Sequence, residues 1–177
     1  YLAQIFQRTN DLSQPILPFY NGGPETNPAK VPASQIYSLI ENDLIQSIDL
    51  LNDFSRTSKD KINKPVAQGL LAYAYAAQGK YSEAKTVSQE IIDNSGFPLT
   101  TTGQLAFPGS GSGFNNVGTA SWMWGFDLTE QLGHQLIDWW GQMDYFTYSY
   151  AWAGDAKSID NALYAQIPTN DIRRTQF

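Results

Sequence analysis

The sequence predicts a mainly α fold, a helical-repeat scaffold with a short strand and long loops in its C-terminal half. Three observations carry this reading. Between residues 33 and 98, apolar side chains recur every three or four positions. Asn, Pro and Gly stand where such stretches would begin and end. Beyond residue 98 the periodicity gives way to Gly/Ser-rich and aromatic-rich segments. The chain therefore divides into a helical region, 1–98, and a loop-rich aromatic region, 99–177.

The opening "YLAQIFQRTN" places Leu2, Ile5 and Phe6 at helical spacing. It reads as the last turns of a helix, and the chain as a middle piece of a longer protein. Residues 10–32 hold Pro15, Pro18, Pro24, Pro28 and Pro32 with Gly22 and Gly23, which predicts an irregular connector. Pro32 suits the first turn of a helix, where a missing N–H costs nothing. Ile36, Ile40, Leu44, Ile48 and Leu51 then form one apolar stripe, predicting an amphipathic helix over 33–54.

Two further helices follow a polar loop. Asn63 is a candidate N-cap with Pro65 in the first turn. Val66, Leu70, Leu71, Ala74 and Ala77 make the buried stripe, and the small Gly69, Ala72 and Ala76 permit close helix approach. Gly79 supplies a left-handed stop. Ser82 is a candidate cap for the next helix, whose stripe is Ala84, Val87, Ile91 and Ile92 and whose end is Gly96. The pair fits one tetratricopeptide repeat, with Leu71, Tyr75, Gly79, Tyr81 and Ala84 in place. Gln68, Ser88 and Gly96 depart from that pattern, standing where it has Trp, Phe and Pro. The helix at 33–54 would pack as its neighbour, since a lone repeat cannot bury its own apolar face.

In the second region "FPGSGSGFNN" reads as a loop, and "SWMWGFDL" as a short strand with Trp122, Trp124 and Phe126 on a buried face. Phe146, Tyr148, Tyr150 and Trp152 alternate with Thr147, Ser149 and Ala151; an extended chain would put all four rings on one side. "SIDNALYAQI" predicts a short helix, and Arg173 and Arg174 could pair with a partner's carboxylates or, as the favoured reading, with Asp171 and its helix.

Composition narrows the chemistry. The 177 residues carry a net charge of −6, which argues against nucleic acid as partner. There is no cysteine, so disulfides, thiolate catalysis and Cys-based zinc sites are excluded. No run of 18 apolar residues could span a bilayer as a helix. His134 is the one histidine, without a Gly-x-Ser-x-Gly elbow. Asp127, Glu130, Asp138 and Asp144 could form a carboxylate pair for glycoside hydrolysis, though solvated surface carboxylates are the ordinary case. The reading is of a non-enzymatic protein that needs neither cofactor nor metal.

Four stretches in order resemble a known family. They are "QIYSLIENDLIQSIDLL", the Ala-rich "NKPVAQGLLAYAYAAQGKYSEAKTVSQEII" with "GKYSEA" at its turn, "SWMWGFDL", and "IPTNDIRRTQF" with its Asp-x-Arg-Arg. Together they resemble SusD/RagB-type nutrient-binding lipoproteins of the Bacteroidetes outer membrane. The connector "NDLSQPILPFYNGG" lacks that family's usual Phe-Gly before the Pro, and the lipidated Cys is not in this stretch. The resemblance implies that both regions belong to one domain truncated at both ends. It also implies a lipid-anchored, surface-exposed protein over a SusC-type TonB-dependent transporter, capturing oligosaccharide or a similar nutrient without cleaving it.

The stretch "DWWGQMDYFTYSYAW", 138–152, places seven aromatic rings in fifteen residues. Sugar rings present apolar C–H faces edged by hydroxyls. A flat aromatic ring covers such a face, and carboxylates or amides take the hydroxyls. Trp139, Trp140, Tyr145 and Trp152 are the candidate stacking rings, with Asp138 and Asp144 as hydroxyl partners. The same rings could instead pack a core or meet another part of the protein. A rival class is a protein-interaction scaffold without a small-molecule site, using the groove beside Tyr73, Tyr75 and Tyr81.

Overall fold

In the computed structural model, residues 1–20, 27–105, 116–127, 139–143 and 149–176 are described. The described residues are mainly helical, and the chain divides into two compact units. One comprises Tyr1–Leu99 with Ala120–Gly125, the other Thr100–Thr119 with Phe126–Phe177.

The first unit runs α1 (Leu2–Phe6), β1 (Pro15–Pro18), β2 (Lys30–Pro32), α2 (Ala33–Leu50), α3 (Lys64–Ala77) and α4 (Tyr81–Asn94). The proline-rich connector is not wholly irregular. Its two ends pair as an antiparallel ribbon, with Pro15 opposite Pro32, Leu17 opposite Val31 and Pro18 opposite Lys30. Proline lacks a ladder donor, so it is tolerated here because only two short strands form the sheet. Ile16 is the extra residue between two registered pairs, a β-bulge, and its side chain is buried.

That buried side chain joins Ala3, Ala33 and Tyr37 in the core, with Leu12, Leu17, Ile36, Ile40 and Ala77 packed around them. Tyr37 is only 1% exposed. Its hydroxyl donates to Gln7 Oε1 at 2.6 Å, and burial raises the phenol above its ordinary pKa. Gln7 Nε2 in turn donates to the carbonyls of Thr9 at 3.2 Å and Ala77 at 3.5 Å. One amide thus ties the end of α1 to α2 and to the end of α3.

Helix α2 has no side-chain cap at Pro32. Its first N–H groups are served instead by the connector's backbone: Ala33 N donates to Gln14 O and Ser34 N to Leu12 O, at 3.0 and 2.9 Å. The predicted stripe of α2 is half-buried along its length, and the fully buried positions are Ala33 and Tyr37. Helix α3 starts as expected, with the Asn63 side chain accepting from Val66 N and proline in the first turn. It is the most buried helix, with Val66, Ala67, Gln68, Leu71, Ala72 and Ala74 inside.

A three-residue turn, 78–80, leads to α4, and Gly79 there has φ +77°, a conformation that disfavours any side chain. The turn is clasped to α2: Glu41 Oε1 accepts from Lys80 Nζ at 2.6 Å and from Gln78 Nε2 at 2.5 Å. Helix α4 departs from expectation at its start. Ser82 lies inside the helix and its carbonyl accepts from Thr86 Oγ1, while the N-cap is Lys80 with no side-chain cap bond. No residue of α4 is fully buried. Gly96, at φ +73°, follows its end as expected.

The strand expected at 121–128 does not form over its described residues, 121–127. Among the described residues no neighbouring strand takes its backbone groups. Within the first unit, Gly125 N donates to Lys59 O at 3.2 Å and Trp124 Nε1 to Asp60 O at 3.1 Å, so this stretch docks onto the loop after α2. Trp122 is half-buried, but Trp124 is on the surface rather than in a core.

Among its described residues the second unit contains three short helices, α5 (Thr102–Leu105), α6 (Trp139–Met143) and α7 (Asn161–Gln166), and a 3-10 helix over Ile172–Gln176. Asp160 caps α7 by accepting from Ala162 N and Leu163 N. Among the described residues no helix is long and apolar enough to cross a membrane.

Two stability outcomes follow. Tyr37→Phe removes the bond to Gln7 and should lower unfolding free energy by about 1 kcal/mol in chemical denaturation, because Gln7 loses a part-buried partner. Gly69→Ala should raise it by roughly 0.5–1 kcal/mol. The new methyl would meet only Met123 Cε, at 4.0 Å, an ordinary contact.

Candidate ligand-binding site

The aromatic stretch begins in α6, whose first residues are Trp139 and Trp140. Gly141 in the same helix is buried, and its carbonyl accepts from Tyr150 N at 2.8 Å. Asp138, Asp144 and Tyr145 lie outside the described residues, as do Phe146, Tyr148, Glu130 and His134.

The end of the stretch is a turn, not the extended segment the alternation suggested. Its backbone groups bond locally. Ala153 N donates to Ser149 O at 3.0 Å, Asp155 N to Tyr150 O at 2.9 Å and Gly154 N to Ala151 O at 3.4 Å. The Ser149 hydroxyl accepts from Trp152 N at 3.0 Å. Gly154 closes the turn at φ +114°, where a side chain would be strained.

The two-sided character of the sequence survives the change of conformation. Ser149 and Ala151 are each 2% exposed, while Tyr150 is 43% and Trp152 57% exposed. The small residues anchor the turn and the large rings face outward. Burying a Trp side chain is worth several times more than burying an alanine. This inversion therefore needs the backbone bonds that fix which side faces in. Sequence reasoning named Trp152 but missed Ser149 and Ala151 as its supports. The signal was present in the alternation of small and aromatic residues.

Downstream, Asp171 organises the Asp-x-Arg-Arg segment as expected. Its carboxylate accepts from Arg173 Nη2 at 2.6 Å, from Arg173 Nε at 3.0 and 3.2 Å, and from Arg173 N at 3.0 Å. These bonds hold the carboxyl down at a pKa of about 2. Arg174 turns the other way, donating to Ile167 O at 2.5 Å and lying 4.6 Å over the Tyr164 ring. Both arginines are thus engaged within the segment.

The depressed pKa sets a pH window. The Asp171–Arg173 contribution is complete above the ordinary carboxyl value of 3.8 and is lost as pH falls through about 2. Protection of the backbone amides over 171–175, taken as the exchange rate of a free peptide at the same pH divided by the measured rate, should therefore fall between pH 4 and pH 2, and Asp171→Asn should show the lowered protection already at neutral pH. No protein-family model matches the chain, and no curated protein matches it.

Proposed function

We propose that the chain is part of a non-enzymatic, cell-surface nutrient-capture protein of the SusD/RagB type. It holds oligosaccharide by ring stacking and hydroxyl bonding, then passes it to a SusC-type TonB-dependent transporter in the outer membrane. The observation that carries this reading is the exposed Trp152 indole on a turn fixed by its own backbone bonds. A ring held outward in this way gives a sugar's apolar face a surface without a large ordering cost. Trp139, Trp140 and Tyr145 extend the surface in this proposal, and Asp138 and Asp144 accept hydroxyl protons. The α3–α4 hairpin with its Gly79 turn serves as one tetratricopeptide-like repeat, with α2 packed beside α3. The lipid anchor belongs to another part of the protein.

A protein-interaction scaffold is the second reading. Tyr73 and Tyr81 favour it, since both are well exposed on the hairpin.

Calorimetry against a panel of neutral oligosaccharides decides between them. Binding is expected for at least one glycan, and Trp152→Ala should weaken it about tenfold, or about 1.4 kcal/mol. Unchanged affinity in that variant would overturn the stacking role. Absence of any glycan binding, together with transporter association abolished by Tyr73→Ala and Tyr81→Ala, would move the assignment to the scaffold. Release of reducing sugar would make the protein a hydrolase instead.

A further inference from the structure

A cleft of about 320 Å³ lies among α2, α3 and α4, wholly within the first unit. Each helix contributes one face: Ile45, Ile48 and Asp49 from α2, Lys64, Gln68 and Leu71 from α3, and Val87 and Glu90 from α4. The cleft is at the small end of volumes that hold organic ligands.

Gln68 is the residue that does not belong in a plain helix–helix seam. It is 94% buried, being only 6% exposed, and it lines the cleft. Among the described residues its carboxamide makes no hydrogen bond, and its polar atoms are not sealed from solvent but open into the cleft. Solvent in the cleft can bond to this amide, and a ligand there would take over that role, whereas an aliphatic residue would instead bury apolar surface. The remaining polar groups are unevenly matched. Lys64 Nζ is turned to Asn52 Oδ1 at 2.9 Å. Asp49 and Glu90 are exposed at the cleft's rim, with no ion-pair or side-chain hydrogen-bond partner among the described residues. The cleft thus combines one engaged cation, two unneutralised carboxylates and an open amide. Its apolar wall is purely aliphatic, with Ile45, Ile48, Leu71 and Val87 and no ring.

From this arrangement we infer that the cleft binds a primary ammonium carried on a short aliphatic chain. The ammonium donates to the Asp49 and Glu90 carboxylates and to Gln68 Oε1, and the chain lies against the Ile, Leu and Val side chains. An anion is disfavoured by the two carboxylates. An aromatic ligand finds no ring to stack on. The inference does not rest on the capture reading.

The test uses the 177-residue protein with labelled methyl groups and side-chain amides, titrated with n-pentylammonium chloride and followed by NMR. Saturable shifts are expected at Ile45, Ile48, Leu71, Val87 and the Gln68 amide, with Kd on the order of millimolar. n-Pentanol should bind about fivefold more weakly and pentanoate not at all. Glu90→Gln and Asp49→Asn should each weaken the ammonium about threefold, and Lys64→Gln should strengthen it. Gln68→Leu should abolish binding while raising the melting temperature. Three results would overturn the inference: shifts that never saturate, equal affinity for pentanol and pentylammonium, or full affinity in Glu90→Gln. A Gln68→Leu variant more stable than wild type, beside a wild type that binds nothing, would make the cleft a packing defect.

Discussion

The first unit depends on the burial of one phenol. Tyr37 is the largest fully buried side chain among the described residues, and its hydroxyl must be satisfied once water is gone. Gln7 supplies the acceptor, which fixes where α1 ends relative to α2. Ile16 fills the space beside the ring only because the bulge between Pro15 and Leu17 gives β1 its extra residue. The connector that carries β1 then puts the Leu12 and Gln14 carbonyls over the start of α2. Packing of the ring, register of the ribbon and capping of the helix are consequently one constraint. None of them can shift by a residue without breaking another.

Burial declines from this point along the helices. α3 is buried on most of its inner face, whereas α4 keeps only half-buried residues such as Ala84, Val87 and Ile91. α4 is held by α3 and by a turn whose anchor, the Glu41 clasp, is partly buried and doubly bonded. A partly buried pair with a second hydrogen bond is screened less than a surface ion pair. That suits a position where hydrophobic contact is thin. The cleft lies where these three helices meet and their side chains no longer close over one another.

The helices were legible because their signals are local. Asn63 before Pro65, Gly79 after Ala77, Gly96 after Asn94 and Asp160 before Asn161 each act on backbone groups within a few residues. What the sequence hid is non-local. The proline-rich connector forms strands because its two ends meet across the intervening residues, a pairing no composition reveals. Tyr37 stands one position beside the obvious Ile36–Ile40 stripe, and its depth follows from α1 and β1 arriving on that side. "SWMWGFDL" alternates like a strand, yet alternation predicts a buried face only where another strand supplies the ladder. Here the loop at Lys59 and Asp60 supplied two bonds instead. Ser82 satisfied a capping pattern, but α4 had already begun at Tyr81.

The aromatic turn shows the same rule applied to function. Alternation of Tyr150 and Trp152 with Ser149 and Ala151 was visible, and which set faces inward was not. Hydrophobicity alone would bury the rings. The Gly141 carbonyl and the Ser149 hydroxyl reverse that outcome, because each takes a backbone N–H of the turn and needs a small residue close to the protein. Tyr150 and Trp152 are then carried outward by geometry. Their exposure follows from hydrogen bonds made elsewhere in the turn. A surface that is apolar, planar and already ordered before it meets a ligand gives up less entropy on binding. In the proposed capture role that property, more than the number of aromatic residues, would set a recognition surface apart from a core.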